Sequence, residues 1–151
     1  GVVYGRMGRA QRALWYFERC LEFAGGFEQK KGLLRRAYLL TILGRYDEAT
    51  KELYALLEEK IEGFTAEIYL RLGEAEWHKK DTFKATAYLE KATKFALEKQ
   101  QANEELSSRF ALAAIYGSQG LIATSSEHLA RAKVLVNDKT DQLTYAFRDV
   151  I

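Results

Sequence analysis

Few side chains in this sequence are of types that do chemistry. Its one cysteine, Cys20, could serve as a nucleophile or metal ligand only as a thiolate. Its histidines, His78 and His128, stand 50 residues apart, and neither forms a His-x-x-x-His or Glu-x-x-His pair. Paired acids such as Glu58-Glu59 and Glu104-Glu105 read as helix ends or solvated faces rather than converging carboxylates. The glycines are spaced as turns, and none precedes Lys-Ser or Lys-Thr as a phosphate loop requires. These patterns predict no catalytic group, no cofactor and no metal site. Cys20 reads as a buried structural thiol between helices, and His128 as a surface residue. The cluster Arg6, Arg9, Arg12 and Arg19 could meet phosphates. Without interleaved exposed aromatics it reads instead as a solvated face, or as an interface with a preceding repeat, so nucleic-acid binding is disfavoured.

The elements that would carry these residues follow from composition and spacing. The chain has 151 residues, of which 48% are hydrophobic and 29% charged, which suits one domain with a sizeable core and excludes a disordered segment. Its longest apolar runs, Ala37–Leu43 and Phe110–Tyr116, are about seven residues, far short of the ~20 of a membrane helix. Proline is absent, against about seven at ordinary usage, which points to an almost wholly helical chain. Net charge is +2; residues 1–36 carry eight basic and three acidic side chains, and the remainder 15 and 18. That asymmetry is too mild for a nucleic-acid arm. A single cysteine excludes an internal disulfide and is compatible with a reducing, cytoplasmic setting.

One spacing recurs: Gly, then Ala five residues on, a large apolar residue four further, and a small or apolar one three further. It reads Gly8–Ala13–Phe17–Cys20, Gly44–Ala49–Leu53–Leu56, Lys80–Ala85–Leu89–Ala92 and Gly120–Ser125–Leu129–Ala132, with periods of 36, 36 and 40. Seven residues before each turn slot lies a small residue, namely Gly1, Ala37, Gly73 and Ala113. Four before it lie Tyr4, Leu40, Glu76 and Tyr116. Steps of three, four and seven are helical, so each unit is two helices with a turn at the Gly. The spacing predicts helices over 9–24, 28–43, 45–60, 64–79, 82–98, 102–118, 121–136 and 139–150, after a partial first helix. Gly25-Gly26, Glu62-Gly63 and Asn137-Asp138 are expected to be turns between units. A lone hairpin cannot bury its apolar face, so the hairpins must stack.

These residues resemble the tetratricopeptide repeat. Leu72-Gly73 and Gly44-Arg45-Tyr46 match its signature directly, and the segment Leu43–Ala49 is close to an ideal turn of that family. In the third copy Lys80 replaces the turn Gly and Thr82 the usual aromatic. That predicts a strained or shifted turn there, with Phe83 as the compensating aromatic. The resemblance implies an all-α fold, a right-handed superhelical solenoid of antiparallel helix hairpins. It divides the chain into a partial unit over 1–26, units 27–62, 63–100 and 101–137, and a trailing helix 138–151. The opening inside a first helix, and the closing Leu143, Ala146, Phe147, Val150 and Ile151, read as a fragment of a larger array.

By the same resemblance the first helices line a concave groove that takes a peptide or helix. The groove stripe falls on Lys31, Leu34, Arg35, Tyr38 and Ile42, then Glu67, Leu70, Arg71, Glu74, Trp77 and His78, then Ser107, Phe110, Ala114 and Ser118. Trp77 also reads as core by its spacing. Tyr38 and Phe110 divide evenly between core and contact, and Arg35 and Arg71 read as solvated or paired with neighbours such as Glu67. The Lys, Asn and Arg slots that clamp a chaperone's terminal carboxylate in some family members fall on Leu34, Tyr38, Arg71, Ser107 and Ala111, so the clamp is absent in this register; in the earlier register Arg35, Glu67 and Arg71 fit it only in part. The expected function is a scaffold or adaptor with a protein or peptide partner. The alternatives are a regulatory region that senses a peptide or small effector, and a structural subunit self-associating through the array ends. No enzyme activity and no membrane insertion are expected.

Overall fold

The computed structural model describes residues 2–22 and 25–148, with side chains for all but 2–6, 27 and 139–148. Among these residues there are seven α-helices and no strand: α1 (Val2–Leu21), α2 (Gly26–Ile42), α3 (Tyr46–Glu58), α4 (Thr65–His78), α5 (Thr82–Glu98), α6 (Ala102–Ser118) and α7 (Ile122–Arg148). This is an all-α helical repeat. The three-residue connections at 43–45, 79–81 and 119–121 are too short for anything but antiparallel neighbours, so α2–α3, α4–α5 and α6–α7 form hairpins.

The hairpin turns share one geometry. Arg45 N–H donates to the Leu40 carbonyl at 2.9 Å, Asp81 N–H to that of Glu76 at 3.0 Å, and Leu121 N–H to that of Tyr116 at 2.9 Å. Each turn needs a left-handed residue, and Gly44 and Gly120 supply it at φ +80° and +79°. In the third copy Lys80 adopts φ 65° itself. The turn expected to shift there stays in register, and the strain sits on a single backbone conformation. Asp81 offsets part of it, because its carboxylate caps α5 by accepting from Lys84 N–H at 3.1 Å. Phe83 compensates for nothing: it is 85% exposed. The expected turn at Glu62-Gly63 is present, with Gly63 at φ +89°.

Two expected turns are absent. Gly8 lies inside α1, where strong helix formers follow it and a lone Gly costs about 1 kcal/mol, too little to break the helix. Asn137-Asp138 lies inside α7, with no Gly nearby to take the left-handed position that a helix end requires. Gly1, Val150 and Ile151, and the side chains of Tyr4, Arg6, Leu143, Ala146 and Phe147, which the sequence assigns to repeat slots, the arginine cluster or a further helix, lie outside what is described.

The core runs along the stack in three joined clusters. Leu14, Leu40 and Ala49 tie α1 to the first hairpin. Leu34, Ala37, Leu53, Leu56, Phe64, Ile68 and Leu72 tie that hairpin to α4. Leu70, Ala85, Leu89, Ala92, Leu112 and Ile115 tie the second hairpin to α6. Burial of each such leucine contributes on the order of 2 kcal/mol, and the 5-4-3 spacing puts these residues on one helix face. Glu76, at a slot filled elsewhere by Leu40 and Tyr116, is buried with Lys79 Nζ 3.8 Å away.

Candidate protein-binding groove

The backbones of α2 and α4, and of α4 and α6, approach closely, whereas those of α1, α3, α5 and α7 stay apart and meet only through long side chains such as Tyr54 and Tyr88. The stack therefore curves toward the α2–α4–α6 side, and the exposed faces of those helices form the inner surface. On α2 that surface presents Lys31, Arg35, Tyr38 and Ile42; on α4 Glu67, Arg71, Glu74, Trp77 and His78; on α6 Ser107, Ala114 and Ser118.

The structure sorts the stripe residues into three sets. Tyr38 and Trp77 are 39% and 41% exposed, so Trp77 is no core residue. Arg71 lies over the Tyr38 ring, 4.5 Å from its centroid, and donates through Nη1 to both Glu74 oxygens, at 3.2 and 2.9 Å. Its partner is thus Glu74 rather than Glu67. Arg35 and Lys31 border a hollow of about 240 Å³ between α1 and α2. His78 is exposed and stacks in parallel on Tyr46 at 5.4 Å.

Leu34 and Leu70 form the second set. They are 3% and 2% exposed, because the next hairpin covers them, so they support the inner surface and do not line it. Phe110 occupies the equivalent position on α6 and is 47% exposed. Its position belongs to the end face of the stack. Leu129 and Val136 on α7 are exposed in the same way, at 46% and 40%, where their counterparts Leu89 and Ala96 are buried.

Other readings of the sequence change here. Cys20 is exposed and free, although its counterpart Leu56 is buried under α4, because α2 sets Gly32 where α4 sets Ile68, and a hollow lined by Cys20 and Gly32 opens between α1 and α2. His128 is mostly buried, its side chain 12% exposed. It stacks on Tyr116 and meets Arg109 Nη1 at 3.2 Å through Nδ1, which must accept because a guanidinium only donates. The arginines of α1 are interleaved with exposed aromatics after all: Trp15 and Tyr16 are 53% and 64% exposed, and Arg19 stands 5.3 Å from the Trp15 ring. A hollow of about 420 Å³ beside Trp15, Glu18 and Arg45 lies away from the inner surface.

Polar networks brace the groove from behind. Glu105 is buried and accepts from Arg109 Nε at 2.7 Å and Arg131 Nε at 3.1 Å, pinning α6 to α7. Burial pushes its carboxyl upward, but the two guanidinium hydrogen bonds outweigh that and hold it below the ordinary value. Tyr116 Oη donates to Glu90 Oε1 at 2.7 Å, and burial with this bond pushes the phenol up to about 12. Burial likewise raises Tyr88 to about 12, aided by its 2.7 Å hydrogen bond with Tyr54. Arg36 lies between Glu18 and Glu52, at 3.5 and 3.2 Å, and links α1, α2 and α3. Burial still leaves Glu52 raised. The i,i+4 spacing of Glu105 and Arg109 was the one sequence signal of these braces; the Arg131 and Glu90 contacts cross between helices. Among the described residues no group of His, Cys, Asp and Glu could hold a metal ion, and no helix is long and apolar enough to cross a membrane.

Fold and surface together define an all-α helical repeat protein with an open inner face. Residues 66–98, spanning nearly all of α4 and the whole of α5, match the family model described as tetratricopeptide repeat, which supports reading this hairpin as one such repeat. The match falls on the copy that departs most from the signature at its turn. No curated protein matches the chain. Tetratricopeptide repeats generally mediate protein–protein interaction.

Proposed function

We infer that this chain is a protein-interaction scaffold or adaptor that holds a partner peptide or helix along the inner face of α2, α4 and α6. The carrying observation is that successive inner helices leave aromatic and charged side chains open on one continuous concave face, with Tyr38 and Trp77 about two-fifths exposed. The binding set in this reading is Lys31, Arg35, Tyr38, Arg71, Glu74, Trp77 and His78. Leu34 and Leu70 set the position of the helices beneath. A rigid curved surface lowers the entropy cost of ordering an extended partner. The reading assigns the chain no catalysis. It places the chain in a reducing, cytoplasmic setting, in keeping with a free, exposed Cys20 thiol. The test is affinity capture from source-cell lysate with the natural chain and with Arg35→Glu/Tyr38→Ala/Arg71→Glu, after circular dichroism shows equal helicity. A partner lost by the variant supports the groove; one retained by both moves recognition to another face.

A second reading rests on the end face. Phe110, Leu129 and Val136 are exposed where Leu70, Leu89 and Ala96 are buried by the following hairpin. That face suits self-association between array ends, as in a structural subunit. Sedimentation across a concentration series tests it: Leu129→Glu abolishes any dimer if this face holds the copies together.

A further inference from the structure

The two inner junctions of the stack are built alike but filled differently. Position by position, Ala37, Tyr38, Thr41, Leu53 and Arg71 at the α2/α4 junction correspond to Gly73, Glu74, Trp77, Leu89 and Ala111 at the α4/α6 junction. At the first junction Arg71 reaches back over the Tyr38 ring, 4.5 Å from its centroid, and plugs the gap between the helices. At the second junction the arginine is replaced by Ala111 and the tyrosine by Glu74, so neither half of the plug exists. A hollow of about 110 Å³ stands in its place. Its floor is buried and apolar, formed by Leu89 and Ile115, which are 1% and 2% exposed. Its rim is open: Trp77 is 41% exposed, and Ala114 and His78 are also exposed.

We propose that this hollow is the anchor pocket of the groove, taking one aliphatic side chain of leucine or methionine size from the bound partner segment. This rests on the groove reading above and deepens it. Three observations fix the chemistry. The hollow, about 110 Å³, is on the scale of one side chain and too small for a longer segment of the partner. The floor offers no polar partner, so a charged or hydroxylated tip would be buried unsatisfied. The Glu74 carboxylate at the rim is already engaged by Arg71, at 2.9 Å. An aliphatic residue entering between Trp77 and Ala114 restores the packing that Arg71 and Tyr38 supply one hairpin earlier. Such a deep, desolvated contact is where a binding interface concentrates its energy.

The experiment is selection of a phage-displayed random dodecapeptide library on the natural chain and, in parallel, on Ala111→Met, whose side chain fills the hollow from within. Thermal melts first establish that both are folded. The expected result is that peptides selected on the natural chain share one Leu, Ile or Met. Replacing that residue by Ala is expected to weaken binding roughly tenfold or more, as is the Ala111→Met change in the protein. Ala114→Leu, which narrows the mouth from the other side, should act in the same direction. Peptides that bind the inner face without a shared aliphatic residue, or with equal affinity for Ala111→Met, overturn the pocket and leave the groove standing. If no peptide is selected, or if the selected peptides map to another face, the groove reading falls and the pocket with it.

Discussion

Gly73 gives the sharpest test of how the second hairpin is packed. It sits inside α4, and a β-carbon built there would stand 2.6 Å from Leu89 Cγ, 2.8 Å from Leu89 Cδ2 and 3.3 Å from the Ala85 carbonyl oxygen. Unstrained carbon contacts lie near 3.5–4 Å, so the helices would have to part by about 1 Å. Leu89 is 1% exposed and packs against α6, so its only room to yield is the small hollow beside Trp77 whose floor it forms. Overpacking of this kind costs about 1–3 kcal/mol, while the helical preference of Ala over Gly returns about 1 kcal/mol. Gly73→Ala is therefore expected to lower stability by about 1 kcal/mol, and Tm by roughly 2–4 °C. The control is Gly8→Ala in α1, where the new carbon meets nothing within 4 Å. There only the helical preference acts, and stability should rise by up to about 1 kcal/mol. Melts of both variants, followed by circular dichroism and by urea titration, read the difference. If Gly73→Ala proves as stable as Gly8→Ala, close approach of α4 and α5 is not what requires Gly at this position.

Three further outcomes follow from named contacts. Lys80→Gly removes a left-handed cost of about 1–2 kcal/mol and adds about 0.4–1 kcal/mol of unfolded-state entropy, so Tm should rise by roughly 2 °C; a fall would show that the Lys80 side chain contributes more than its backbone strain. Glu105 is held below its ordinary value of 4.5, so the stability it supplies is complete above that pH and is lost as pH falls through the lower folded value. Glu105→Gln should accordingly be less stable than the natural chain at neutral pH, and the gap should close in strong acid; a gap independent of pH would refute the double guanidinium clamp. The phenols of Tyr88 and Tyr116 are raised to about 12, so two of the nine tyrosines should ionise late in an ultraviolet titration, and Tyr116→Phe should remove one of them.

The helices themselves were legible because their apolar slots recur in steps of three, four and seven. The predicted segments 82–98 and 102–118 coincide with α5 and α6. What spacing could not carry was cover. Cys20, Leu56 and Ala92 share a slot, yet the first is exposed and the others buried, because burial depends on the side chain that the next helix sets against the slot, and beside Cys20 that residue is Gly32. The same physics separates Leu34 and Leu70 from Phe110 on otherwise equivalent stripes. Turn signals failed where a local preference is weak: Gly8 and Asn137-Asp138 cost a helix little, and nothing outside the helix requires a break. The third turn was legible in position but not in conformation, since Lys80 takes the left-handed state usually left to Gly. The hollow beside Trp77 was hidden for another reason. It arises from two substitutions on different helices, Glu74 against Tyr38 and Ala111 against Arg71, which face each other only once the hairpins stack.

The most direct test of the inner face as the recognition surface is backbone amide and Trp indole chemical-shift mapping of the isotopically labelled chain during titration with the tightest selected dodecapeptide. The account predicts that the largest shifts fall on α2, α4 and α6, at Lys31, Arg35, Tyr38, Glu74, Ala114 and the Trp77 indole. Shifts concentrated on α3 and α5, for example at Lys51 and Lys94, or on the Phe110–Leu129 end face, would contradict it.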